Sequence, residues 1–82
     1  MAAIEKLIDR FKQSPKDFTW GELVKLLAHF GYAEKKGKGS RRKFVAQGLP
    51  TIILHEPHPK NEVKQYALKD VRETLEGEGL LK

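Results

Sequence analysis

The sequence of 82 residues contains no cysteine. It can therefore form no disulfide, no thiolate zinc or iron–sulfur site and no thiol nucleophile, a composition that suits the reducing cytoplasm. It also contains no apolar run near the roughly 20 residues that span a bilayer. Residues 1–10 include acidic side chains and lack the continuous apolar stretch of a signal peptide. We therefore expect a soluble cytoplasmic protein that does not enter a membrane.

The chain is too short for more than one domain, because single domains commonly run to about 100 to 150 residues. A domain of this size buries only about 60% of the surface that its unfolded chain exposes. Most of its apolar side chains, which are 39% of the residues, must therefore share one core. We expect residues 1–82 to be a single domain, with an N-terminal helix and linker at 1–17 and the core at 18–82.

Basic residues exceed acidic ones by 16 to 11, and the excess is concentrated in the middle of the chain. Residues 35–43 contain no acid and carry six positive charges: Lys35, Lys36, Lys38, Arg41, Arg42 and Lys43. Such a stripe attracts a polyanion through phosphate contacts and counterion release. The alternative is a solvated basic surface that serves only solubility. We predict nucleic-acid binding by these six residues, together with Lys60 in a later loop; the family resemblance given below implies that the nucleic acid is RNA.

Helical periodicity is found at both ends of the chain. From Ala2 to Lys12, apolar side chains recur at the spacing of an amphipathic helix. Thr19 and Glu22 form a capping box that predicts a second helix from about Trp20 to Phe30, which Gly31 ends. The last helix is predicted from about residue 62 or 63 to residue 76, with Leu80 and Leu81 folding back onto the core.

Between these helices the sequence predicts three short strands, at about 32–36, 40–47 and 51–55. Glycine-containing turns join them, and the connections are too short for parallel crossovers. The fold class is therefore α+β, with helices on one face of a three-stranded antiparallel sheet. Without its first helix, the chain has the α-β-β-β-α order of a double-stranded-RNA-binding domain. The aromatic residues Trp20, Tyr32, Phe44 and Tyr66 are predicted to face the core rather than to stack on bases.

Two histidines, His55 and His58, lie where the third strand gives way to a loop. A turn at Gly48 and Leu49 would place Arg42 opposite His55 and Arg41 opposite Glu56. Imidazole, with a usual pKa near 6.5, can take and give a proton at neutral pH, and this is what attack of a 2′-hydroxyl on RNA requires. Arginine could hold the scissile phosphate and offset its growing charge. We therefore predict His55, His58 and Arg41 as catalytic candidates.

Other interpretations of the same residues are possible. His55 could be a strand-end residue paired to Glu56, and His58 a turn residue. A metal site drawn from His55, Glu56 and His58 is disfavoured, because the short spacing and the intervening proline oppose tetrahedral geometry. We therefore expect neither a metal ion nor another cofactor.

The stretch from Trp20 to Leu80 resembles the HicA-type toxins, also called YcfA-like proteins. The similarity rests on a Leu-rich helix ending Phe30-Gly31-Tyr32, on Lys38-Gly39-Ser40 followed by basic residues and Phe44, and on the loop from His58 to Val63. The resemblance implies a double-stranded-RNA-binding-domain fold, ribosome-independent cleavage of messenger RNA, and inhibition by a HicB-like antitoxin encoded beside the toxin.

The sequence departs from the family pattern at the position of the family's catalytic histidine. In HicA-type toxins a histidine follows the Gly-Ser pair, whereas here Gly39-Ser40 is followed by Arg41 and Arg42. Three hypotheses remain open: His55 or His58 has taken over the catalytic role, the protein binds RNA without cutting it, or the resemblance reports the fold alone. A module that binds an acidic protein partner and a purely structural adaptor are further alternatives.

Overall fold

A computed structural model describes residues 2–57 and 60–81 of the chain. Its elements are α1 (Ala2–Lys12), α2 (Trp20–His29), β1 (Ala33–Lys36), β2 (Arg41–Val45), β3 (Ile52–His55) and α3 (Gln65–Gly77). The three strands form one antiparallel sheet with β2 in the centre. The predicted α+β class is confirmed, together with the helix-strand-strand-strand-helix order and the additional N-terminal helix.

Helix α2 begins and ends at the signals that the sequence contains. The Thr19 side chain accepts a hydrogen bond from the N–H of Glu22, and the Glu22 carboxylate accepts the N–H of Thr19 at 2.9 Å. At the other end, Gly31 has a φ of +95°, the left-handed conformation that glycine adopts without strain. The helix itself ends at His29, one residue before the predicted boundary.

Helix α3 begins at Gln65, later than predicted, because the residues before it are extended. Glu62 pairs with Thr19 in an isolated antiparallel bridge, and the N–H of Val63 donates to the carbonyl of Phe18 at 2.7 Å. The N–H of Trp20 donates to the carbonyl of Asn61 at 2.7 Å. These bonds tie the segment before α3 to the start of α2.

The pairing of β2 with β3 differs from the prediction by one residue. Arg41 lies opposite His55 and Arg42 lies opposite Leu54. The predicted pairs, Arg42 with His55 and Arg41 with Glu56, are therefore wrong. The prediction assumed a two-residue turn, whereas an odd number of residues separates Phe44 from its partner Ile52. The connection instead contains a turn in which the N–H of Leu49 donates to the carbonyl of Ala46.

The core lies between the helices and one face of the sheet. On that face Phe44, Ile52 and Leu54 are buried, and the same core includes Leu7, Phe11, Phe18, Trp20, Leu23, Leu26, Leu27, Tyr32, Val63, Leu68, Val71, Leu75 and Leu81. The burial of Leu81, with Leu80 packed against the core, confirms the predicted C-terminal clasp.

One aromatic prediction is wrong: Tyr66 is 68% exposed, whereas Trp20, Tyr32 and Phe44 are buried. Tyr66 precedes the buried Leu68 by two residues, and two residues turn a helix by about 200°. It therefore lies on the side of α3 that faces away from the core. The spacing of Leu68, Val71 and Leu75 was the signal that could have shown this.

Candidate nucleic-acid interface and active site

The face of the sheet opposite the helices carries four of the predicted functional residues. Side chains alternate between the faces of a strand. Because Phe44 and Leu54 point into the core, Arg41 and Lys43 of β2 and His55 of β3 lie on the outer face, and all three are exposed. Lys35 of β1 pairs with Lys43 and joins the same surface. We call this set, Lys35, Arg41, Lys43 and His55, the outer basic face.

His55 lies directly across from Arg41 in the ladder. The backbone N–H of Glu56 donates to the carbonyl of Ser40 at 2.8 Å, so Ser40 and Glu56 form a pair joined by backbone hydrogen bonds. The adjacent pair, Arg41 and His55, is then one without backbone hydrogen bonds between its members. Opposing side chains approach most closely in pairs of the second kind. Arg41, the residue that follows Gly39-Ser40, therefore has an imidazole as its cross-strand neighbour.

Ser40 also contacts His55. Its hydroxyl oxygen lies 3.3 Å from Nδ1 of the imidazole. This contact can orient the ring through Nδ1, whichever of the two atoms carries the shared proton. Within residues 2–57 and 60–81, the other ring nitrogen, Nε2, has no hydrogen-bond partner. Among the described residues, the imidazole therefore has one nitrogen in contact with Ser40 and one without a partner.

Arg42 lies on the other face of β2 from Arg41 and Lys43, and its side chain is only 15% exposed. Its guanidinium donates to the carbonyls of Gly39 at 2.8 Å and Arg41 at 2.9 Å. It also forms ion pairs with Glu56 at 2.9 Å and with Glu34 at 3.8 Å. Arg42 thus links β1, the β1–β2 turn and the end of β3. It engages the Glu56 carboxylate that the alternative interpretation had paired with His55.

The remaining predicted residues lie around this sheet or outside the described part of the chain. Lys36 is exposed at the end of β1, Lys38 is exposed in the following turn, and Lys60 is exposed before α3. His58 lies outside the described residues, so its predicted position is not addressed. The structure thus brings Arg41 together with His55 and places Lys35 and Lys43 on the same face.

A cleft of about 560 Å³ adjoins His55 on the side of β3 away from β2. It lies between β3 and α3, and its lining includes Ile53, His55, Lys60, Lys64, Tyr66 and Ala67. Sequence reasoning missed this cleft, because residues from β3, a loop and α3 form it only after folding.

Neither a metal centre nor a membrane span is found in the described part of the chain. Residues 2–57 and 60–81 contain no group of three or more His, Cys, Asp or Glu side chains that could hold a metal ion. The trio considered from the sequence includes His58, which lies outside those residues. Over the same residues, no helix combines the length and apolar character needed to cross a membrane.

Comparison with known protein families gives a match that covers most of the chain. A family model described as the HicA toxin of bacterial toxin–antitoxin systems matches residues 20–76, from the first residue of α2 to the last turn of α3. Comparisons with curated proteins and with solved structures find no match. Since the matched region contains the whole sheet and its flanking helices, the chain belongs to the HicA toxin family of bacterial toxin–antitoxin systems.

Proposed function

We propose that this toxin binds messenger RNA on the outer basic face and cleaves it with His55 as a proton-transfer group. The proposal rests above all on the register of β2 and β3, which places His55 opposite position 41. In HicA-type toxins, which this chain resembles, the catalytic histidine is expected at this position, directly after the Gly-Ser pair. An imidazole on the neighbouring strand can therefore serve the same region of a bound substrate.

The charges of the outer basic face support RNA binding. Lys35 and Lys43 lie directly opposite one another in adjacent strands and are both exposed. Like charges in this arrangement repel, and a phosphate bound between them would relieve the repulsion. Arg41 lies two residues from Lys43 on the same face of β2 and can hold a second phosphate in a bidentate contact. In this proposal Arg42 positions the β1–β2 turn rather than contacting RNA.

The proposed reaction is attack of a ribose 2′-hydroxyl on the adjacent phosphate. A base takes the 2′ proton, the 2′ oxygen bonds to phosphorus, and the bond to the 5′ oxygen breaks as that oxygen receives a proton. The products are a 2′,3′-cyclic phosphate and a 5′-hydroxyl end. The Nε2 atom of His55 is suited to one of these transfers, with Ser40 orienting the ring through Nδ1. The Arg41 guanidinium would stabilise the charge that develops on the phosphate.

A toxin of this class needs an inhibitor, and membership of a toxin–antitoxin family implies an antitoxin partner. We propose a HicB-like antitoxin encoded beside the toxin. A messenger-RNA substrate supports a cytoplasmic location for both proteins, which forms part of this proposal.

The test compares His55→Ala with His29→Ala, which removes a histidine at the other end of the molecule. His29 ends α2, next to the strand end at Ala33, whereas His55 lies near the opposite end of the sheet. Cleavage of a mixed RNA should fall by about 10²- to 10⁴-fold in the His55 variant, the usual effect of losing a general acid or base. RNA binding should persist in both variants, and His29→Ala should cleave at the wild-type rate. Equal cleavage by all three proteins would exclude a catalytic role for His55.

A second candidate function is RNA binding without cleavage. The observation in its favour is Arg41, because an arginine guanidinium offers only hydrogen-bond donors and so cannot take a proton as a general base. Under this alternative the wild type binds RNA but leaves it intact, and Arg41→His introduces cleavage. Cleavage by the wild type would exclude this candidate.

A further inference from the structure

We infer that the cleft between β3 and α3 is a subsite for an unpaired RNA base, with Tyr66 as its stacking surface. The inference rests on the proposed function, because it assumes that the chain binds RNA. It adds the class of RNA recognised, namely single-stranded RNA or an unpaired loop rather than a duplex.

The first observation is the position of exposed apolar surface. Among the described residues, the exposed large hydrophobic side chains are Ile53, at 47%, and Tyr66, at 68%, and both line this cleft. Within residues 2–57 and 60–81, the Tyr66 ring packs against no other aromatic ring and its hydroxyl makes no hydrogen bond. The fold therefore does not account for an aromatic residue here, whereas a stacked base would cover it.

The second observation is the free edge of β3. The N–H of Glu56, the residue after β3, donates to the carbonyl of Ser40. Because backbone N–H and C=O groups alternate in direction along a strand, the even-numbered residues of β3 face β2. The backbone groups of Ile53 and His55 therefore point away from β2. No further strand pairs with β3 in the described sheet. These N–H and C=O groups border the cleft, where they can bond to the edge of a base.

The third observation is the distribution of charge around the cleft. Lys60 and Lys64 are exposed at its lining and can contact phosphates, and His55 connects it to the outer basic face. The lining also includes carboxylates, those of Glu56, Glu62 and Asp70. Carboxylates disfavour a phosphate in the cleft but can accept hydrogen bonds from base amino groups. The cleft volume, about 560 Å³, lies within the range of small-molecule sites, about 300–1,000 Å³.

The test measures binding of a 2′-O-methyl RNA strand, which lacks the attacking hydroxyl and cannot be cleaved. Fluorescence anisotropy compares this single strand with its duplex for the wild type, Tyr66→Ala, Tyr66→Phe and Tyr66→Trp. Lys69→Ala is the control, since Lys69 is exposed on α3 and does not line the cleft. Because Tyr66 is 68% exposed, these substitutions should leave the fold intact, which circular dichroism checks.

Tyr66→Ala should weaken single-strand binding by about 5- to 150-fold, the range that base–aromatic stacking spans, and duplex binding by less than about twofold. Tyr66→Phe and Lys69→Ala should bind as the wild type does. In Tyr66→Trp the strand should quench the fluorescence of the new indole. Trp20 is buried, so its own emission should change little when the strand binds. If the wild type binds RNA and Tyr66→Ala binds the single strand equally well, the subsite is excluded while the proposed function stands. If the wild type binds neither RNA, the RNA-binding function itself is overturned.

Discussion

Arg42 connects the two segments that flank the contact between Ser40 and His55. Its guanidinium contacts the carbonyl of Gly39, just before Ser40, and the carboxylate of Glu56, just after His55. The Ser40–His55 contact therefore lies between two segments that a single side chain connects. This geometry gives Arg42 a structural role, although it lies in sequence between Arg41 and Lys43 of the outer basic face.

Arg42→Ala should lower the free energy of unfolding by about 1–3 kcal/mol, because Arg42 is only 15% exposed and its loss removes an ion pair with Glu56 and two hydrogen bonds to backbone carbonyls. Arg41→Ala should change it by less than about 0.5 kcal/mol, since Arg41 is exposed. Urea denaturation of both variants gives the comparison. Equal stability of the two would mean that the Arg42 contacts contribute nothing measurable.

Tyr32 makes the free energy of unfolding depend on pH in the alkaline range. Its hydroxyl donates to the carbonyl of Pro50 at 2.9 Å. Burial, with a smaller contribution from the negative charge of Glu78, raises the pKa of Tyr32 above its ordinary value of 10.0. The unfolded chain therefore loses this proton at lower pH than the folded one does. The stability contributed by the neutral phenol is complete below about pH 10 and is lost as the pH rises through the folded pKa.

Tyr32→Phe should thus be less stable than the wild type by about 0.5–1.5 kcal/mol at neutral pH, through the lost hydrogen bond. The difference between the two proteins should stay constant up to about pH 9 and shrink above about pH 10. Denaturation at a series of pH values measures it. A difference that stays constant up to pH 11 would contradict the raised pKa.

At the scale of elements, α2 supplies much of the core. Leu23, Leu26 and Leu27 are fully buried, while Lys25 on the same helix is exposed. The capping box orients this helix, and the bonds from Phe18 and Trp20 to the segment before α3 connect it to the last helix. The face of α2 predicted from apolar spacing is therefore the face that packs.

Leu27→Ala should cost roughly 2–5 kcal/mol, a large part of the stability of a small domain. Lys25→Ala is the matched control and should change stability by less than about 0.5 kcal/mol. Thermal melts of the two variants decide the question. A melting temperature unchanged by Leu27→Ala would contradict this packing. It would mean that neighbouring side chains fill the space left by Leu27 or that α2 packs through another face.

At the scale of the whole molecule, the net charge of +5 is distributed unevenly over the surface. Lys35, Arg41 and Lys43 lie on the open side of the sheet, and the three helices lie on the other side. α1 precedes the region that matches the family, and it packs through Leu7 and Phe11 into the common core. The added helix therefore leaves the outer basic face uncovered.

Reversing Lys35, Arg41 and Lys43 to Glu should abolish RNA binding and leave the fold intact, because exposed charges contribute little to stability. Arg42 is left unchanged, since a carboxylate there would repel Glu34 and Glu56. Single reversals should reduce the slope of log K against log salt by about 0.7 for each phosphate contact with a single strand.

The matched control for the triple variant is Lys6, Lys16 and Lys25 to Glu, which changes the net charge equally at exposed positions on or near the first two helices. This control should retain most RNA affinity. Equal loss in both triple variants would mean that RNA responds to total charge rather than to the outer basic face.

The sequence by itself determined the features that depend on neighbouring residues. The ends of α2 follow from the Thr19–Glu22 capping box and from Gly31, because such bonds span only a few positions. The class of each element and the apolar face of each helix follow from periodicity. The family resemblance was likewise visible in short motifs, and the family match confirms it.

Only the tertiary structure decided how distant residues meet. The register of β2 and β3 depends on whether the connection has an odd or even number of residues, and a shift of one changes every partner. That register places His55 opposite Arg41. The side chain of His55 therefore lies on the same face of the sheet as those of Arg41 and Lys43. The cleft beside Tyr66 likewise exists only after β3, the following loop and α3 have packed together. Local propensity does not encode these pairings, because packing between elements far apart in the chain selects them.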